Sequence, residues 1–325
     1  MRKFLITRIL YMILTLFIFV TLCFFLFRML PGDPTALVIS PILMPEAQAA
    51  LKAQFGLDKP LHIQYYLYFK NLLKGDLGIS FIYRTPVINI IKGKILNTLI
   101  LMGLGMLLCL IIGILGGTVM AWLRGSKLDT GAIIFSLAFR STPEFWSGML
   151  ILLVFGYKLE WFPVGRMHTP GFEAFGFWDQ YFNVDFLKHL ILPLTTLTLY
   201  YLASPLLVMR NSMLEVLHTD FVELAIAKGL HPLRVMYQHA ARNALLPVVT
   251  LISLMVGYAV GGQVLLETIF SWPGMGKEMV DAVNSNDYPM AQGAFLFLGA
   301  TVISMNLLAD VLYCYLDPRI QYGEE

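Results

Sequence analysis

Arg140 and Glu144 stand four positions apart in an otherwise apolar stretch, with Pro143 between them. On a continuous helix that spacing puts both on one face. Charges in such a setting are costly and mark function or a specific pairing. Two chemistries fit. One is a structural ion pair near a water interface, with Arg140 snorkelling outward. The other is a polar lining for a solute path or its inner gate. Pro143 removes a backbone donor and favours a kink there. Asn306 and Asp310 form a second polar pair at the same spacing, suited to adhesion between helices. Enzyme chemistry is not visible. The six histidines form no HExxH, and no GxSxG elbow is present. Gly274-Met275-Gly276-Lys277 has the look of a phosphate loop. However, Ser271 stands where the first glycine belongs and Glu278 where Ser or Thr belongs. Cys23, Cys109 and Cys314 lie far apart in apolar stretches. They read as small buried hydrophobes, and neither a disulfide framework nor a metal site is expected.

The elements that must carry these residues follow from composition. Hydrophobic residues make up 58% of the 325 and charged residues only 14%, against about 25% charged in a soluble domain. The net charge of +2 gives no reason to expect nucleic acid. The fold class is all-α integral membrane, with six spanning helices at about 9–29, 98–122, 133–156, 187–208, 245–266 and 292–315. The first apolar run, 9–27, is too long for the core of a signal peptide, and no small-residue cleavage site follows it. It is read as an uncleaved spanning helix.

Lys and Arg near the ends of the short loops set the orientation. Arg2, Lys3 and Arg8, then Arg124 and Lys127, then Arg210, Lys228, Arg234 and Arg242, and finally Arg319 all fall on one side. That side is cytoplasmic, with both termini on it. The long 31–97 stretch carries many lysines, but long loops cross largely regardless of charge. It is expected to be a small external helical subdomain, with helices at 45–54 and 60–73 and a third from Pro86 running into the second span. The chain then divides into 1–30, the external subdomain 31–97, and a five-helix core 98–325. The external 157–186 loop is rich in aromatics, suited to an interfacial belt, to a docking surface for a soluble partner or to part of a gate. Gly113-x3-Gly117 and Gly257-x3-Gly261 permit close helix packing. Pro193 and Pro205, like Pro143, favour broken or bent helices.

The 209–247 segment is the least ordinary. Residues 212–228 read as one helix, stopped by Gly229 as a C-terminal cap. Pro232 suits the first turn of a second helix running toward Asn243. The result is a stiff cytoplasmic projection between the fourth and fifth spans.

Here a resemblance emerges. Asp220-Phe221-Val222-Glu223-Leu224-Ala225-Ile226-Ala227-Lys228-Gly229, followed by Arg234 and by His239-Ala240-Ala241-Arg242-Asn243 and Pro247, resembles the EAA loop of ABC-transporter permeases. More narrowly, it is similar to the dipeptide/oligopeptide/nickel family, B-type or first permease subunit. Met29-Leu30-Pro31-Gly32-Asp33-Pro34, Phe55-Gly56-Leu57-Asp58 and Gly75-Asp76-Leu77-Gly78 are also similar to that family. So are Glu267 through Gly276, Asp287-Tyr288-Pro289 and Asp317-Pro318-Arg319, all in the same order. The central EAA element departs from the pattern in reading Glu-Leu-Ala.

The resemblance implies a prokaryotic inner-membrane, multi-pass subunit of an ATP-driven importer, probing no bond chemistry of its own. It implies a paralogous second permease of C-type, two ABC ATPases that hold ATP and magnesium, and an extracytoplasmic solute-binding protein. It also implies that the loop couples to an ATPase, with Glu223, Ala225, Gly229, Pro232, Leu233, Arg234, Met236 and Tyr237 as the coupling residues. Leu233, Met236 and Tyr237 are expected to fill a groove on the ATPase, and Arg140 and Glu144 are the candidates for the path. Cofactors in this chain are expected to be none. Di- and oligopeptides are the expected cargo, with nickel complexes, glutathione or oligosaccharides as alternatives. An ion-coupled secondary transporter is the competing class, but no internal repeat and no mid-membrane carboxylate relay is evident.

Overall fold

Apolar runs longer than a bilayer needs, punctuated by Pro and Gly, produce an all-helical chain. The computed structural model describes residues 2–29, 58–249, 251–252, 255 and 264–316. Its helices are α1 (Arg2–Met29), α2 (Leu61–Leu73), α3 (Val87–Trp122) and α4 (Lys127–Ser141). Next come α5 (Glu144–Ile151, extended by wide turns over Leu152–Lys158), α6 (Phe177–Tyr181), α7 (Val184–Leu217) and α8 (Asp220–Ala227). α9 starts as Pro232–Arg234, widens over Val235–Ala241 and closes with Arg242–Ala244. α10 (Val264–Ile269), α11 (Met275–Asn284) and α12 (Tyr288–Leu316) complete the set. The expected helix 45–54, residues 30–34, Phe55 to Leu57, Gly257-x3-Gly261, half of the fifth segment 245–266 and Asp317-Pro318-Arg319 lie outside the described residues.

Among the described residues, four helices are long and apolar enough to cross a membrane: Leu5–Met29, Val87–Trp122, Val184–Leu217 and Tyr288–Leu308. The expected third span, 133–156, is present as two helices rather than one. Thr142 adopts an extended backbone, φ −85° and ψ 145°, between α4 and α5. The cause is local. The ring of Pro143 disfavours a helical conformation at the residue before it. Pro193 and Pro205, by contrast, sit inside an unbroken α7, contrary to a break at either. At Pro205 the neighbour explains the tolerance. A β-carbon on Gly113 would lie 2.8 Å from the Pro205 ring, so the absence of one makes room for it.

α3 and α7 form the most extensive helix pair. Gly113 and Gly117 allow it: a β-carbon on Gly117 would stand 2.5 Å from the Leu206 carbonyl oxygen. α3 has 36 residues, which at a rise of about 1.5 Å gives about 54 Å. That exceeds a hydrocarbon core of about 30 Å, so one rod joins regions on both sides. α2 lies along α1, with Tyr65 hydrogen-bonded to Thr21 at 2.8 Å and its ring edge-on to Phe24. Asp310 meets Arg8 at 3.0 Å, tying α12 to α1 as an adhesive polar residue should. Cys23 and Cys109 are buried free thiols; the Cys314 side chain lies outside the described residues.

The turn between α3 and α4 is held by charge. Ser126 caps α4 by accepting from the Asp129 N–H at 3.1 Å. Asp129, 2% exposed, accepts from the Gly125 N–H at 3.0 Å and takes two hydrogen bonds from Arg210 of α7, at 2.6 and 2.7 Å. Arg210 holds the Asp129 carboxyl below the usual carboxylate range. With the folded value depressed, the stabilisation is present above the ordinary range and is lost as pH falls through the lowered value. Asp129→Ala strands the Arg210 guanidinium and is expected to cost about 3 kcal/mol. Thermal unfolding at neutral pH measures this, and a loss below about 0.5 kcal/mol refutes it.

Candidate functional site

The 209–247 projection is built from two helices and a corner, set on the ends of α3 and α7. α7 ends at Leu217, and α8 starts afresh at Asp220. The single helix expected over 212–228 is therefore two. Thr219 takes an extended conformation, φ −92° and ψ 148°, and its hydroxyl donates back to the Val216 carbonyl at 2.6 Å. That side-chain bond offers the backbone an alternative to continuing the helix.

Gly229 does cap α8, at φ +72°. Its N–H donates to the Ile226 carbonyl at 2.9 Å and the Leu230 N–H donates to the Ala225 carbonyl at 3.3 Å. This is the paired closure of a Schellman motif. Pro232 then opens α9 at its first turn, with His231 extended before it. The corner is thus set by one left-handed glycine and one fixed proline φ.

Burial sorts the coupling candidates into two groups. Val222 and Ala225 of α8 pack with Val235, Met236, Ala240 and Ala241 of α9, over Met209 and Met213 of α7 and Ala121 of α3. Met236 is 4% exposed, so it cannot enter a groove on another protein. Its unbranched side chain fills this chain's own core instead. The outward face carries Glu223 and Arg234, with Leu233 at 58% and Tyr237 at 40% exposed. Arg234 donates to Gln238 at 3.1 Å. Phe221, Leu224 and Ile226 are exposed as well, and sequence reasoning missed them. α8 is apolar nearly all round, so periodicity gave no face. The usable signal was size: the inward pair, Val222 and Ala225, is the smaller one.

Arg140 and Glu144 are not paired. The break at Thr142 takes them off a common helix, which removes the expected ion pair. The Arg140 guanidinium lies over the Tyr200 ring, 4.7 Å from its centre, a cation–π contact. Glu144 keeps one buried carboxylate oxygen with no hydrogen-bond partner among the described residues.

At the far end of α3 a second cluster explains the sequence from Glu267 to Gly276. Glu267 is fully buried. Its carboxylate accepts from the Thr98 hydroxyl at 2.6 Å and from the Lys277 N–H at 2.9 Å. The Thr98 oxygen in turn accepts from the Met275 N–H at 2.8 Å. Glu267 thus occupies the N-terminus of α11, where backbone N–H groups attract an anion. The glycine-rich turn does cradle an anion, but it is the chain's own. A β-carbon on Gly274 would fall 2.4 Å from that carboxylate. Alongside, Asn97 of α3 donates to the Pro273 carbonyl at 2.8 Å and accepts from the Tyr181 hydroxyl at 2.7 Å. The Trp272 indole N–H donates to the Asn97 carbonyl at 3.0 Å. Asp287, also buried, accepts from the Ser80 hydroxyl, from the Phe81 N–H at 3.1 Å and from the Met290 N–H at 3.2 Å. It caps α12 and holds the 80–82 loop at once. The loop aromatics divide. Tyr181 is buried, whereas Trp161, Phe175, Trp178 and Phe182 are exposed.

Two family descriptions match this chain. "Binding-protein-dependent transport system inner membrane component" matches residues 113–322. An N-terminal "Binding-prot-dependent transport system membrane comp" matches residues 1–102. The dipeptide transport system permease protein DppB of Escherichia coli K12 is 39% identical, covering 98% of each chain. The di/tripeptide transport system permease protein DppB of Pseudomonas aeruginosa UCBPP-PA14 is 39% identical over 99% of each. The oligopeptide transport system permease protein AppB of Bacillus subtilis 168 is 37% identical over 93% of each.

Proposed function

The chain belongs to the family of binding-protein-dependent transport inner-membrane components, and from that premise we propose that it is the first of two permeases in an ATP-driven importer of di- and oligopeptides. It is a non-catalytic, multi-pass subunit of the bacterial inner membrane. The cargo reading rests on its near full-length likeness to permeases named for dipeptides, di/tripeptides and oligopeptides.

In this reading six helices cross the membrane, the third as the broken pair α4–α5, and both termini are cytoplasmic. Residues 31–97 form the external subdomain between 1–30 and the core 98–325. A C-type permease completes the path, two ATPases hold ATP and magnesium, and an external binding protein delivers peptide. Closure of the ATPases moves α8 and α9. Glu223, Leu224, Leu233, Arg234 and Tyr237 make the outward contacts, while Ala225 and Met236 brace the projection from within and Gly229 with Pro232 fixes its bend. The observation that carries the coupling role is that bend, clamped over one core shared with α3 and α7. A floppy connector would dissipate the movement.

Reconstitution of the complex in proteoliposomes tests the whole reading. Uptake of a labelled tripeptide is expected only with ATP inside and binding protein outside. Uptake by this chain alone under an ion gradient would overturn it.

Arg140 and Glu144 remain the path candidates. The partnerless oxygen of Glu144 supports a ligand-facing role, because a buried acceptor left unpaired costs about 1–3 kcal/mol. Glu144→Gln is expected to change binding-protein-stimulated ATP hydrolysis severalfold while the purified complex keeps its yield and stoichiometry. If the variant only loses assembled complex, Glu144 is a structural residue.

A further inference from the structure

A cleft of about 580 Å³ opens between α3 and the 234–245 stretch. Its polar side carries Arg234, Arg242 and Gln238, and no Asp or Glu among the described residues lines it. The Arg242 side chain makes no hydrogen bond or ion pair within the described residues, and the Arg234 side chain commits only its Nε, to Gln238. The opposite wall is Ile114 and Leu115 of α3. Leu115 is 51% exposed, and it ends a stripe of exposed aliphatic side chains, Leu104, Leu107, Leu108, Ile111 and Ile112, that climbs α3 at helical spacing. Leu115 also lines a second groove of about 470 Å³, whose lining from Gly116 and Val119 to Phe135 and Leu206 is wholly apolar. A basic cleft and an apolar groove therefore meet at one residue, at the end of a helix long enough to span the bilayer.

We propose that this cleft binds the headgroup of an anionic phospholipid of the cytoplasmic leaflet, its acyl chains lying along the Leu115 stripe and the adjoining groove. The guanidiniums of Arg234 and Arg242 match a phosphodiester, which they can engage by paired charge-assisted hydrogen bonds. Basic pockets between spanning helices on the cytoplasmic side are suited to anionic headgroups. Other occupants fit less well. A free phosphate or nucleotide would satisfy the arginines but leave the Ile114–Leu115 wall and the groove without an apolar partner. A peptide brings an ammonium group, and the described residues of the cleft offer no carboxylate to receive it. The proposal rests on the orientation given above, which places this end of α3 in the cytoplasmic leaflet. Its consequence is regulatory. Arg234 belongs to the coupling face, so a bound lipid braces α9 against α3 and makes coupling depend on lipid charge.

The test uses the assembled complex in nanodiscs of phosphatidylcholine, alone or with phosphatidylglycerol. Native mass spectrometry after delipidation reads retained phosphatidylglycerol without needing transport, so it stands apart from the importer reading. Retention by the wild type is expected, with a loss of about tenfold or more in the Arg234→Gln/Arg242→Gln double variant. Arg242→Lys should keep most of it. Phosphatidylglycerol should also raise ATP hydrolysis in the wild type and less in Arg242→Gln, which leaves the coupling contacts intact. Equal retention by wild type and double variant overturns the site. Displacement of the lipid by inorganic phosphate at millimolar concentration overturns the lipid assignment in favour of a simple anion. Retention in a complex that ignores the binding protein would support the lipid site while counting against the importer.

Discussion

Glu267→Ala is expected to leave a permease that fails to assemble stably. The change strands the Lys277 N–H, removes a partner of Thr98, and takes a carboxylate from the N-terminus of α11, leaving Glu278 as the acidic residue of its first turn. Each buried group left unpaired costs about 1–3 kcal/mol, and loss of the charge at the helix terminus adds about 0.3–1 kcal/mol. The sum, about 2–7 kcal/mol, is a large share of a domain stability of about 5–15 kcal/mol. Glu267→Gln is the informative companion. Its amide oxygen can still accept from Thr98, but its amide nitrogen faces the Lys277 N–H, donor against donor. An intermediate loss is expected. Thermal unfolding of the detergent-solubilised complex, with size-exclusion profiles, checks both. An alanine variant within about 0.5 kcal/mol of the wild type would show that the carboxylate fastens nothing.

Gly229→Asp is expected to have the second large effect, through a different route. At φ +72° no neighbour among the described residues lies within 4 Å of the added β-carbon, so crowding is not the cause. The cost is the left-handed backbone, about 1–2 kcal/mol for an ordinary L-residue, with Asp among the more tolerant. That is too little to unfold the chain, yet enough to shift the corner between α8 and α9. Transport and binding-protein-stimulated ATP hydrolysis should both fall at least severalfold while the complex still reaches the membrane. Gly229→Asn, which visits this conformation more readily, should retain more of both. Normal uptake in the Asp variant would mean that the bend transmits nothing.

The sequence made some of this legible and hid the rest for physical reasons. Gly229 and Pro232 were readable because each restricts its own backbone, and a restriction on φ needs no partner. The break at Thr142 was only half readable. Pro143 announced a disturbance, but Pro193 and Pro205 announced the same and sit in an unbroken α7. Only the partner helix tells them apart, as Gly113 does for Pro205. The inward turn of Met236 was hidden because a helix apolar on most sides leaves periodicity nothing to separate. The Glu267 cradle was hidden for a subtler reason. Its glycine-rich turn was recognisable, but its anion comes from ten residues earlier in the same chain, and a loop motif read alone looks for a ligand from outside. Asp129 and Arg210 are 81 residues apart, a distance over which local pattern carries no information.

The extended Thr142 has a consequence for biogenesis. A stretch is handed from the translocon to lipid largely on the strength of one continuous apolar helix of about 20 residues. Here that stretch is divided into α4, with 15 residues, and α5, with 8 before its wide turns, and neither half meets that length. On the six-span reading proposed above, segment three enters the bilayer with help from a neighbour already there. The short, charge-locked turn after α3 supplies one, so α3 and the α4–α5 pair are expected to insert as a hairpin, in the order in which the ribosome makes them.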